Sequence, residues 1–402
     1  MKNMNGTMPV IIYSKKNINL IRSCILENYG KIKYELPFIN ALCVDVPIQK
    51  LESIKCNKNI SLITKDAEVS KLPVFATNVE NDTLPPKVKR TVRNRRLSKS
   101  VFSLPLQGEG VTIAIIDTGI SPHYDLVKPI NRIVAFKDFI NNGLIPYDDD
   151  GHGTHVAGLA AGNGYLFGGN EVVEAVRSMF PEKSSSLICM GAACKSKIAA
   201  LKALDGEGNG NTSDILAAMQ WVADNYRKYN IRVLNLSLGI DATSFDADGD
   251  GVDEMTDPLV LGVNALVRMG ISIVVAAGNS GPRPGSITSP GTSPFVITVG
   301  SINAKGEVPA FSSRGPTAMG AIKPDLVAPG IDVLSLAPGT NKQYIRQSGT
   351  SMSAPAVAGA AACIHAINPR LSPSQVKLFL MQNAVPQSAA DRNSQGAGLL
   401  KI

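Results

Sequence analysis

Three stretches of this 402-residue sequence carry side chains able to do acid–base or nucleophilic chemistry. The first, "VTIAIIDTGIS" (residues 111–121), is an apolar run ending in Asp117-Thr118-Gly119. Such a carboxylate could be one of two that share a proton, but that chemistry needs a second Asp-Thr-Gly, and the chain has one. The second, "YDDDGHGTHVAGLAAG" (147–162), sets His152 just before a helical pattern, with His155 three residues on. No His-Glu-x-x-His occurs, so a zinc pair on a helix is unsupported. The choice is between a general base at a helix start and two histidines packed in a glycine-rich loop. In the third, "GTSMSAPAVAGAAA" (349–362), Ser351 opens an alanine-rich helix whose N–H groups and dipole favour a developing oxyanion. Its plainer reading is an N-cap serine with Pro355 in the first turn.

Together, "DTG", "GHGTHVAG" and "GTSMSAP", in the order Asp, His, Ser, change the balance. With these motifs the sequence resembles the subtilisin-like serine proteases over roughly residues 105–400. The resemblance implies that Ser351 attacks the scissile carbonyl, His152 moves the proton, and Asp117 stays ionised and orients the imidazole. It also implies an oxyanion donor at Asn279 in "IVVAAGNSGP", acting with the Ser351 N–H. A substrate cleft is expected from Gly208, Asn209 and Gly210, from Ser237, Leu238 and Gly239, and from Ala276, Ala277 and Gly278, where an extended peptide would add as a strand. The function implied is a serine endopeptidase acting on proteins or peptides. The alternative is a non-catalytic relative that binds or chaperones peptides through the same cleft.

The chain departs from that pattern in two places. About thirty residues, including "YLFGGNEVVEAVRSMFPEKSSSLICM", stand where many relatives have a short calcium loop, so that loop is not expected. A different Ca²⁺ candidate is "DADGDGVDEMTD" (246–257), in which Asp246, Asp248, Asp250 and Asp257 have EF-hand-type spacing, although the twelfth residue is Asp rather than Glu. The alternative is an acidic solvated loop.

The elements that must hold these residues follow from hydrophobic patterning. From residue 111 onward, near-continuous apolar runs such as "VTIAIID", "IRVLNLSLG" and "ISIVVAAGN" alternate with helical patterns such as "SDILAAMQWVADNYRKY". This predicts an α/β fold, a mainly parallel sheet covered by helices on both faces, over residues 106–402. Chemistry in such a sheet sits at the carboxyl ends of strands, where Asp117 falls. Residues 1–70 read β-α-β-β-α-β, a small α+β ferredoxin-like unit. Residues 71–105, with prolines and the basic run "KVKRTVRNRRLSK", read as an exposed linker. The resemblance makes the N-terminal unit a prodomain that assists folding and then inhibits the cleft, with processing in the linker.

Composition narrows the remaining classes. Residues 1–100 hold 18 Lys and Arg against 8 Asp and Glu, whereas the rest hold 22 against 25. The positive charge is therefore matched by an acidic partner within the chain, and no nucleic-acid partner is expected. No apolar stretch reads as a membrane span, and no membrane partner is expected. The N-terminus lacks the apolar run of a secretory signal, so the expectation is cytoplasmic action, or release by another route. Six cysteines without CxxC spacing are expected to be free thiols.

Overall fold

The computed structural model describes residues 6–76, 107–167, 191–241, 254, 256–387 and 390–400. The N-terminal unit runs β1 (Thr7–Ser14), α1 (Asn19–Glu27), β2 (Lys31–Leu36), β3 (Ala41–Pro47), α2 (Leu51–Lys55) and β4 (Ile60–Lys65). Its strands form one antiparallel sheet in the order β2-β3-β1-β4. Alternation along β1 and β3 gives the sheet two buried faces. Val10, Ile12, Leu42 and Val44 pack on Ile21, Ile25, Leu51 and Ile54 of the two helices. Ile11, Tyr13, Ala41 and Cys43 join the core of the larger domain.

The larger domain is built on a nine-stranded sheet. Its strands are β7 (Thr112–Asp117), β8 (Ile133–Asp138), β9 (Lys197–Lys202), β11 (Ile231–Leu236), β13 (Ser272–Ala276), β14 (Ile297–Ile302), β15 (Leu326–Pro329), β18 (Ala384–Val385) and β19 (Leu399–Leu400). They lie in the order β18-β19-β15-β14-β13-β11-β7-β9-β8, all parallel except the β18–β19 pair. Ile113, Ile115, Val233, Val274 and Val299 face the helices α4 (His152–Ala161) and α7 (Thr350–Ile367). Ala114, Ile116, Leu234, Ile273 and Val275 face α5 (Thr212–Tyr229) and α6 (Pro258–Arg268). Burial on both faces explains why these strands read as unbroken apolar runs rather than alternating ones. Helix α7, 18 residues long, is apolar enough by length and composition to cross a bilayer. Here it is the central helix of one layer, buried from Thr350 to His365 except at Ala356.

The N-terminal unit docks across the start of α5. Lys33 pairs with Asp214 at 2.9 Å and donates to Ser213 Oγ at 3.0 Å, and Asp66 accepts the Ser213 N–H at 2.8 Å. Tyr34 donates to the Asp214 carboxylate at 2.9 Å. One of these contacts, Lys33 with Asp214, pairs a base of the N-terminal unit with an acid of the larger domain.

The expected boundary at residue 70 and the exposed linker from 71 need correction at their start. Residue 70 lies within β5 (Glu68–Lys71), and β6 (Phe75–Ala76) follows at once. Strand β5 lies between β10 (Asn209–Asn211) and β12 (Leu238–Gly239), antiparallel to both, and β6 pairs with β17 (Tyr344–Ser348). Between β5 and β6, Leu72 is buried. The sequence reads as one strand from residue 60 to 69, whereas the chain breaks after Lys65 and starts β5 at Glu68. The rest of the linker lies outside the described residues.

Candidate active site

Strand β7 ends at Asp117, and Gly119 follows with φ 128°, so the chain turns sharply back under the start of α4. The approach is close: a Cβ on Gly153 would stand 2.2 Å from the Gly119 carbonyl oxygen. His152 is the first residue of α4, and its Nδ1 donates to Asp117 Oδ1 at 2.7 Å. That same oxygen accepts the Thr118 N–H at 2.8 Å. Both side chains are buried, and His152 Nε2 has no hydrogen-bond partner among the described residues. Burial alone would lower the imidazole pKa. The Asp117 charge and hydrogen bond, with help from Asp150 and against Lys71, hold it above the ordinary value.

Ser351 lies in the first turn of α7, the helix that packs on α4. Its hydroxyl donates to the Ser237 carbonyl at 3.2 Å, and Ser237 Oγ returns a bond to the Ser351 carbonyl at 3.1 Å. Asn235 Nδ2 donates to Ser237 Oγ at 3.0 Å, which ties the end of β11 to this turn. Beyond β13, the chain passes through Ala277 and Gly278 to Asn279. Asn279 Oδ1 accepts from the Thr350 N–H at 3.0 Å and the Thr350 hydroxyl at 2.8 Å. Those two donors fix which end of the amide is oxygen, so Nδ2 faces the cleft, where it donates to the Pro73 carbonyl at 2.7 Å.

The first two expected cleft segments flank strand β5. Asn209 and Gly210 of β10 and Leu238 and Gly239 of β12 are paired to β5, Gly208 accepts the Lys71 N–H at 2.8 Å, and Ser237 adjoins Ser351. Leu72 packs at Gly239, its Cδ2 3.3 Å from where a Cβ would be. Ala276 closes β13 inside the core, and Ala277 accepts the Thr288 N–H at 3.1 Å. The carbonyl held by Asn279 belongs to Pro73, one residue beyond the Leu72 side chain seated at Gly239.

Several residues that organise the site escaped the sequence reading. Asp148 accepts from Thr118 Oγ1 at 2.9 Å, Gly151 N at 2.8 Å, Thr154 N at 2.8 Å and Thr154 Oγ1 at 2.6 Å. Thr118 Oγ1 also accepts the Gly153 N–H at 2.9 Å, so these two side chains clamp the Asp117 loop to the His152 helix. Lys202 is fully buried and donates to the Thr118 and Leu204 carbonyls at 2.7 and 2.9 Å and to Asp149 at 2.6 Å. The run of three aspartates was the available signal, but nothing in it tells which carboxylate faces inward.

The other histidines serve packing. His155 Nε2 lies 3.2 Å from the Val333 and Ile345 carbonyls, and burial pulls its pKa down to about 3. His123 and His365 are likewise buried and pulled down to about 4. Among the described residues no three or more His, Cys, Asp or Glu side chains cluster as metal ligands. Asp246, Asp248 and Asp250 lie outside the described residues. Asp257, expected as the twelfth ligand of that loop, caps α6 through Oδ1, accepting from Leu259 and Val260 N–H at 2.8 and 3.1 Å, and its Oδ2 has no hydrogen-bond partner among the described residues. Burial pushes its pKa up to about 6, which a nearby cation would oppose. Among the described residues Cys24, Cys43 and Cys56 are free thiols, Cys194 and Cys363 are buried, and Cys189 lies outside the described residues.

Residues 108–398 match the family model described as "Subtilase family". The chain belongs to the subtilase family. It is 36% identical over 397 residues to serine protease AprX of Bacillus subtilis (strain 168), covering 92% of this chain and 80% of that protein. It is 32% identical over 295 residues to subtilisin Savinase of Lederbergia lenta, covering 73% and 90% of the two chains. An alkaline protease of Shouchella clausii is 29% identical over 370 residues, covering 92% and 80%. This subtilase is accordingly a serine endopeptidase.

Proposed function

We propose that the subtilase cuts peptide bonds through Ser351 as nucleophile, His152 as general base and then acid, and Asp117 as the carboxylate that fixes the imidazole. The observation that carries this is the buried 2.7 Å bond from His152 Nδ1 to Asp117, which leaves the opposite ring nitrogen without a partner. A donating Nδ1–H leaves Nε2 as the lone-pair side, the tautomer a general base requires. The Ser351 hydroxyl is bonded to the Ser237 carbonyl and not to His152, so on this reading it turns from Ser237 to His152 Nε2 before its proton passes. Attack makes an oxyanion, which Asn279 Nδ2 and the Ser351 N–H would receive. Collapse expels the amine, which takes the proton from His152, and water repeats the cycle on the acyl-enzyme.

We propose further that the chain is made inhibited, with β5 and the following residues lying along the cleft in the place of a substrate. What supports this is the offset at the centre. A peptide presented for cutting places one residue's side chain in the pocket and that residue's carbonyl on the oxyanion donor. Here Leu72 supplies the side chain and Pro73 the carbonyl. The carbonyl on Asn279 thus belongs to a different residue from the side chain seated at Gly239, which suits a strand that occupies the site without being consumed. Processing to release the enzyme would fall in the linker beyond.

Two measurements test the reading. A fluorophosphonate should label Ser351 in the wild type and not in His152→Ala. The full chain should cut itself in the linker, and Ser351→Ala should remain whole. Unlabelled Ser351 with peptides still bound in the cleft would favour a non-catalytic binder. Cutting of Ser351→Ala at the same position, with no other protease present, would remove the self-processing part.

A further inference from the structure

The strand in the cleft displays what the cleft accepts on either side of its backbone. Lys71 is the informative residue. Its Nζ is bonded to Asp150 Oδ2, and the side chains of the pair are 27% and 9% exposed. The aliphatic stem lies along Gly208, where a Cβ would come 2.5–2.6 Å from Lys71 Cγ, Cδ and Cε. Gly208 has φ +84°, a left-handed conformation that favours glycine, so the turn that shapes this wall also keeps it bare. The result is a channel with an apolar floor as long as a lysine stem and a carboxylate at its end.

That carboxylate is fixed before any substrate arrives. Asp150 Oδ1 accepts the His152 N–H at 3.1 Å, which anchors the side chain at the start of α4. Its two neighbours are committed elsewhere, Asp148 to the clamp under Thr118 and Asp149 to Lys202. Of the three aspartates in "YDDDG", only Asp150 meets the chain in the cleft. Lys71 is followed at once by Leu72, the residue buried at Gly239.

We infer that Asp150 is a specificity-determining residue that selects substrates with lysine or arginine immediately before the apolar residue that enters the primary pocket. The inference rests on the reading of this groove as the substrate cleft. A contact that only anchored the N-terminal unit would need neither the bare Gly208 wall nor a carboxylate held by the catalytic helix.

The test uses the full chain and a set of internally quenched peptides, identical except for Lys, Arg, Ala or Glu before a leucine. Specificity is read from competition in one mixture, so the fraction of cleft still covered by β5 cancels from every ratio. Wild type should favour Lys and Arg over Ala by about tenfold to a hundredfold in kcat/KM, with Glu lowest, and the preference should shrink as salt rises. Asp150→Asn should bring Lys, Arg and Ala within about threefold of one another, and Asp150→Lys should raise Glu above Lys. A wild type indifferent to the variable residue overturns the inference while leaving the protease reading intact, as does a preference that survives in Asp150→Asn. If wild type that is cut in its linker and labelled by a fluorophosphonate at Ser351 cuts none of the peptides, the inference falls and the protease reading stands; if it is neither labelled nor active, both fall.

Discussion

Asp117→Asn isolates what the buried carboxylate does, because it changes charge with almost no change of shape. In the native chain Oδ1 accepts from both Thr118 N–H and His152 Nδ1, while Oδ2 has no partner among the described residues. An asparagine can therefore keep its oxygen on those two donors and place its amide group where Oδ2 stood. The tautomer is then preserved, and the main loss is the attraction between a carboxylate and the imidazolium formed in the transition state. At 2.7 Å and an effective dielectric constant of about 20 that attraction is about 6 kcal/mol. The amide dipole replaces part of it, and a remaining loss of about 4–5.5 kcal/mol lowers kcat about a thousandfold to ten-thousandfold. The pH profile moves as well. With the Asp117 charge gone, burial dominates at His152 and its pKa falls, so the acid limb of kcat/KM should shift to lower pH. Initial rates on a peptide anilide from pH 5 to 10, with wild type and variant side by side, measure both effects. A loss under tenfold, or an acid limb that moves upward, would refute the argument.

Other outcomes follow from the same contacts. Asn279→Ala should cost about 2.7–4 kcal/mol in kcat with little change in KM, a range established on a subtilisin and so carried over from a relative; equal losses in binding and turnover would remove the oxyanion role. Gly153→Ala would set a Cβ 2.2 Å from the Gly119 oxygen, and moving that turn should destabilise the fold by about 1–3 kcal/mol and lower activity, checked by urea unfolding and peptide turnover. Acid should destabilise the chain. His123, His155 and His365 have folded pKa values of about 4, 3 and 4 against an unfolded value near 6.5, so the unfolded state binds more protons as pH falls through that window. Asp257 works in the opposite sense between about 4 and 6, because its folded pKa is the higher one. The net expectation is a loss of up to about 3 kcal/mol per pH unit near pH 5, seen as a falling urea midpoint in Ser351→Ala protein; a midpoint that is flat or rises between pH 7 and 5 contradicts it.

The sequence by itself determined the local chemistry and the layers. Two-sided apolar strands can be buried only between helices, and small residues around Asp117, His152 and Ser351 leave backbone room that only a crowded site uses. Strands β1–β4 and helices α1 and α2 were legible because their periodicities are short-range properties of the chain. Tertiary structure decided the rest, since it depends on which groups meet across hundreds of residues. The orientation of the Asn279 amide is set by Thr350, 71 positions away. The inward turn of Asp148 rather than Asp149 is set by Thr118 and Lys202. Strand β5 could not be told from β4, because the sequence reads as one strand through Val69, and only the pairing of β5 with β10 and β12, far along the chain, separates the two. The cap made by Asp257 was not legible either: a carboxylate ahead of Pro258 fits both a cation loop and a helix cap, and only the fold of α6 shows the bonds its Oδ1 makes.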